Sequence, residues 1–124
     1  MTHRGLGASL FLVLGVTLLH RATAAGVAQG RALFERRCAG CHSLDADKEG
    51  PRLRGVYGRR AGSVSSFNYS DGLKNMQMTW DADSLDHWLA DPDKLVPDNN
   101  MAFRLINAEE RREVIAFLKQ LSGR

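Results

Sequence analysis

The amino-acid sequence predicts an all-α domain of three to five helices joined by long loops. Two observations carry this. Apolar residues recur at helical spacing near residue 30 and again near residue 117, and no stretch between them alternates as a half-buried strand must. A third observation concerns what the domain contains. About one hundred residues make a small core, marginal unless something else is buried with it, and only 7% of the residues are aromatic. A large apolar group would complete such an interior.

The chain opens on an export pattern. Arg4 gives a positive start, Leu6 to Leu19 is a 14-residue apolar stretch, and Ala22-Thr23-Ala24 is a small-residue cleavage site. Residues 1–24 are therefore expected to be a cleaved signal peptide, leaving 25–124 as one domain in the periplasm. The rival is a retained membrane anchor, but the stretch falls short of the roughly 20 residues a spanning helix needs.

Val27, Ala28, Arg31, Phe34 and Cys38 follow helical spacing and predict the first helix. Residues 43–68 are rich in Gly, Arg and Ser, with Pro51 and no sustained period, and read as loop. So long a loop in a compact domain suggests that it wraps something. Ser70 is placed to cap a short helix reaching Met76, and Asp81 to cap another through Leu85, Trp88 and Leu89. That helix must stop near Asp91, because Pro92 disfavours a helical residue before it. Residues 92–106 read as a second loop, with Pro97 and Asn99-Asn100. Asn107 and Glu110 form a capping-box pair for the last helix, in which Val114, Phe117, Leu118 and Leu121 make the apolar face and Gly123 a stop.

The chemistry lies in Cys38-Ala39-Gly40-Cys41-His42, the C-x-x-C-H pattern of covalent attachment of c-type haem. Two thiols three positions apart can each bond one vinyl-derived carbon of the porphyrin, and His42 then lies where its imidazole can bind the iron. The rivals are a redox dithiol, which wants a βαβ surround, a disulfide, and a zinc site. Zinc needs four ligands, and beyond the leader the chain has only His42, His87 and these two cysteines as nitrogen or sulfur donors besides its methionines. For the iron's sixth position the candidates are Met76, Met78, Met101 and His87. Met101, in a loop stiffened by Pro97, is the expected ligand; Met76 and Met78, just before Trp80, are expected to pack in the core.

These residues resemble class I cytochromes c, within them the mitochondrial cytochrome c and bacterial cytochrome c2 type. The likeness runs from Gly30 to Leu121. It includes Gly50-Pro51-Arg52-Leu53-Arg54-Gly55-Val56-Tyr57-Gly58-Arg59, Phe67-Asn68-Tyr69-Ser70, Trp80, Pro92 to Phe103, and Arg112 to Leu118. The resemblance implies the cytochrome c fold around one covalently bound haem c. It implies that Gly30 and Phe34 cross the last helix near Val114 and Phe117. It also implies that the Pro51 carbonyl takes the second nitrogen of His42, and that Arg59, Tyr69 and Trp80 lie near the haem propionates, where an indole N–H suits a carboxylate. Some positions depart from the family. Trp88 stands where a tyrosine is usual, Leu105 replaces a common glycine, and Asp93, Asn100, Asn107, Ala108 and Glu109 replace frequent lysines.

The function implied is one-electron shuttling, with no catalysis, between respiratory or photosynthetic complexes or a periplasmic dehydrogenase. The resemblance implies redox partner proteins, expected to be membrane complexes, and the chain is expected to be a monomer. The alternative is a haem subunit or small-molecule-binding haem protein of a larger oxidoreductase, with an open sixth position. Without the leader's two arginines the net charge is only +1, too little for nucleic-acid binding. Its distribution is uneven: eight basic against four acidic residues over 31–60, but three against nine over 61–110. Such a dipole can steer one face towards partners.

Overall fold

The structure, a computed structural model, describes residues 23–123. The expected leader lies outside the described residues except for its last two positions. Helical turns run over residues 23–33 and continue as a wider π-helical turn over Phe34–Cys38, together α1. The wider turn closes where the Ala39 N–H reaches back to the Phe34 carbonyl at 3.0 Å. It buries Phe34 and brings Cys38 to the end of the helix. The later helices are α2 (Asp71–Lys74), α3 (Ala82–Ala90), α4 (Pro92–Leu95) and α5 (Ala108–Gln120). Among the described residues there is no strand; Arg60 and Thr79 form an isolated bridge.

The helix boundaries follow local chemistry. Asp81 accepts the Ser84 N–H at 2.8 Å while the Ser84 hydroxyl takes the Asp81 N–H at 2.9 Å, a reciprocal cap for α3. The Asn107 side-chain oxygen accepts both the Glu109 and the Glu110 N–H, at 2.9 and 3.1 Å, and starts α5. Ser70 caps α2, but α2 ends at Lys74, two residues before the expected Met76. The Asn75 N–H turns back onto the Asp71 and Leu73 carbonyls, which releases Met76 to pack against the core.

The segment 92–106, expected as loop, contains a short helix, α4. Pro92 begins α4 with its φ already set and no N–H to satisfy, and Asp91 accepts the Lys94 N–H at 3.3 Å.

The core forms where α1 crosses α5 and α3 packs beside it. Phe34 meets Phe117 with ring centroids 5.7 Å apart, and Trp80 meets Trp88 at 5.5 Å. Gly30 is buried at the crossing, as expected, because a side chain there would run into the Glu113 carbonyl and Phe117. Val114, Ile115, Phe117 and Leu118 of α5 join Leu85, Trp88 and Leu89 of α3 in one buried cluster. Arg111 ties these helices together. Its Nε lies 2.7 Å from Asp86, and one Nη donates to the Leu105 and Ile106 carbonyls. No described polar or charged residue is fully buried. The fold therefore presents helices as a frame and loops as the walls of a cleft.

Candidate functional site

The cleft has a volume of about 380 Å³ and is lined mainly by apolar side chains. That size lies in the range of small-molecule and cofactor sites. Cys38, Cys41, His42 and Met101 all line it, although 59 positions separate His42 from Met101 in the chain. Its apolar depth is Phe34, Leu85, Trp88, Val114 and Leu118, the same side chains that join the helices.

The attachment segment is held by its own backbone. The His42 N–H returns to the Cys38 carbonyl at 2.9 Å, and the Gly50 N–H to the Cys41 carbonyl at 2.8 Å. His42 Nδ1 lies 2.8 Å from the Pro51 carbonyl, the contact expected from the resemblance. A carbonyl can only accept, so Nδ1 carries the proton and Nε2 keeps its lone pair. Burial holds the imidazole below its ordinary pKa, against the opposing pull of the Pro51 carbonyl. The neutral form required of a metal ligand is thus favoured. Gly50 lies flush against the ring, and any side chain there would collide with it. In the sequence Gly50 is legible only as the first residue of the Gly50–Arg59 segment, because the collision depends on where the fold sets the imidazole.

Cys38 and Cys41 are not joined in a disulfide. Burial pushes Cys38 up to about 11, partly offset by the Arg37 guanidinium. Cys41 is exposed and its thiol faces Glu49 at 3.5 Å, whose hydrogen bond raises its pKa. Among the described residues no three His, Cys, Asp or Glu side chains cluster as a metal site of four such ligands would need.

The methionines separate. Met76 and Met78 pack against the core and do not line the cleft, whereas Met101 does. His87 is exposed on α3, with Nδ1 2.8 Å from the Asp83 carbonyl, and faces away from the cleft lining. Two side chains missed in the sequence fix the methionine loop. The Asn99 side-chain oxygen accepts the Met101 N–H at 2.8 Å, while its amide nitrogen donates to Val96 and Asp93 at 2.8 and 2.9 Å. Arg37 lies 5.8 Å from the Phe103 ring centroid, a cation–π contact between the attachment segment and this loop.

Arg59, Tyr69 and Trp80 line the cleft together. Tyr69 and Trp80 are buried, and the Tyr69 oxygen accepts the Val64 N–H at 3.2 Å. Arg59 donates to the Arg52 carbonyl at 2.9 Å and to the Arg54 carbonyl at 3.5 Å. Its guanidinium is only partly exposed and burial depresses its pKa. Among the described residues no carboxylate forms an ion pair with it. A half-buried cation facing a cleft in this way suits an anionic group in that cleft.

Comparison with known proteins decides the family. Residues 27–122 match the family model described as cytochrome c. The chain belongs to the cytochrome c family. It is 40% identical to cytochrome c of Gibberella zeae, over 75% of this chain and 92% of that one. It is 45% identical to cytochrome c2 iso-2 of Magnetospirillum molischianum, over 68% of this chain and 90% of that one. In three dimensions it matches cytochrome cH from Methylobacterium extorquens with a TM-score of 0.72 and 38% identity, covering 76% of this chain and 97% of that one.

Cytochromes c bind one covalent haem c and are electron carriers, not enzymes, and both statements extend to this chain. The residues present fit that group. Two cysteine sulfurs, an imidazole whose Nδ1 carries the proton and a thioether share one apolar cleft with the half-buried Arg59 guanidinium.

Proposed function

We propose that this cytochrome c shuttles single electrons between redox proteins of the periplasm, donor and acceptor being membrane respiratory or photosynthetic complexes or a periplasmic dehydrogenase. The observation that carries the reading is the sorting of ligands. Of the four candidates for a sixth ligand, only Met101 shares the cleft with His42. In this reading Cys38 and Cys41 hold the haem covalently, and His42 and Met101 ligate its iron. The Pro51 carbonyl fixes the His42 tautomer. Arg59, Tyr69 and Trp80 face the propionates. When bound, the group supplies a one-electron couple.

The chain's own residues then restrict what happens there. With His42 and Met101 both holding the iron, no position would be left for a substrate, and the soft sulfur would favour the reduced state. The apolar walls disfavour added charge in the same direction. The basic 31–60 segment, opposed to the acidic 61–110 segment, gives the molecule a dipole that orients it towards acidic partner surfaces. Residues 1–24 act as the export signal and leave a monomeric domain of residues 25–124. None of the described helices is long and apolar enough to cross a membrane.

The deciding experiment is the visible spectrum of the matured protein. The oxidised form should show a weak band near the red end from iron–sulfur bonding, and Met101→Ala should abolish it. Carbon monoxide binding to the reduced wild type at neutral pH would overturn the carrier reading in favour of an open-site oxidoreductase subunit. A periplasmic extract should yield a polypeptide beginning at Ala25, eluting as a monomer on gel filtration.

A further inference from the structure

Two segments far apart in the chain meet at Asp98, three residues before Met101. The Asp98 carboxylate accepts the Gly72 N–H at 2.8 Å, and its backbone carbonyl accepts the Ser70 hydroxyl at 2.7 Å. The same Ser70 oxygen takes the Leu73 N–H at 3.4 Å. Ser70 therefore starts α2 and grips the methionine loop at once. Gly72 is adapted to this approach, since a side chain on it would run into the Asp98 carbonyl and Val96. Ser70, Leu73, Asn100 and Met101 all line the cleft. The bonds at Asp98 thus join two segments that line the same cleft.

We propose that Asp98 is a positioning residue, which clasps the methionine loop to the Ser70–Leu73 turn and so holds Met101 against displacement. The proposal rests on the reading of Met101 as an iron ligand. Neighbouring restraints make it effective. Pro97 fixes φ on one side, and Asn99 fixes the Met101 N–H on the other. The remaining freedom of the loop is to swing away from the turn as a unit, and the Asp98 bonds oppose that motion. An ordinary surface hydrogen bond would have a different signature: a small change in overall stability and none in ligand exchange.

The test uses the oxidised holoprotein, with free imidazole as the probe competing for the Met101 position. Asp98→Ala should bind imidazole about fivefold more tightly than wild type, the weight of one ordinary hydrogen bond. Asp98→Asn keeps an oxygen that accepts the Gly72 N–H, and should restore nearly wild-type affinity. Gly72→Ala leaves Asp98 intact but forces the segments apart, so it should also tighten imidazole binding, and it carries the test if Asp98→Ala fails to fold. Wild-type imidazole affinity in both Asp98→Ala and Gly72→Ala, with the iron–sulfur band present in wild type, would overturn the clasp and leave Met101 as ligand. A wild type without that band would overturn the ligand reading and the clasp with it.

Discussion

The two walls that carry the expected iron ligands are built differently. On the attachment wall, His42 is held by groups within nine residues of it: the Cys38 carbonyl, the Pro51 carbonyl and the face of Gly50. The Ser43 and Leu44 carbonyls accept the Leu53 and Arg54 N–H groups at 3.0 and 2.9 Å, closing that segment on itself. The methionine wall has one main-chain bond at its ligand, from the Phe103 N–H to the Met101 carbonyl at 2.9 Å, and is otherwise braced there by side chains. Asn99 holds the Met101 backbone, Asp98 reaches across to Gly72, and Arg104 pairs with Asp91 and Asp93 at 3.0 and 3.3 Å. A main-chain lattice has few independent ways to loosen, whereas a wall braced by exposed side chains can open locally. The thioether should therefore yield before the imidazole.

Substitution of the ligands gives the widest expected contrast. His42→Ala should abolish correct haem incorporation, read as loss of colour in a pyridine haemochrome assay. Met101→Ala should keep the covalent haem, read as a mass equal to that of the variant polypeptide plus one haem, and lose only the iron–sulfur band. Equal loss of haem in both would erase the distinction between the walls. Next comes Gly50→Ala, whose methyl must displace the imidazole. Overpacking of this kind costs about 1–3 kcal/mol, and should appear in denaturant unfolding of the holoprotein. Asn99→Ala should act through the other wall, tightening imidazole binding about fivefold while shifting the unfolding midpoint little.

The smallest effect expected is one of pH. Hydrogen bonds from Arg54 and Ser66 hold the Asp45 and Asp47 carboxyls below the ordinary value of 3.8. The Ser84 amide does the same for Asp81. A depressed folded-state pKa favours the fold above the unfolded value, and that contribution is lost as pH falls through the folded one. Stability should thus hold as acid is added down to about pH 4 and decline below it. Asp47→Asn should flatten the decline; Asp45 and Asp81 are exposed and Asp47 is half-buried, so the change is modest. An acid titration of the melting temperature reads it directly.

What could be read in advance follows the range of the interactions. Asp81, Asn107 and Ser70 announced their helices because a cap is a local bond, made within three residues. The attachment motif is local as well. Gly30 and Phe34 became legible only through resemblance, since the crossing partner is over 80 residues away. Asn99 and Asp98 were passed over as loop residues. Their roles depend on which backbone groups the fold brings near, and Asp98 reaches Gly72 across 26 positions. The brief α4 escaped notice because four residues are too few to show a period.

The crossing of α1 and α5 has a topological consequence. By joining residue 30 to residue 117 it turns the described chain into a ring, with every cleft wall lying on the circumference. A ring cut once stays in one piece. A single protease nick at an exposed position such as Ser65 should leave two fragments that remain associated, each still gripping the other through its terminal helix.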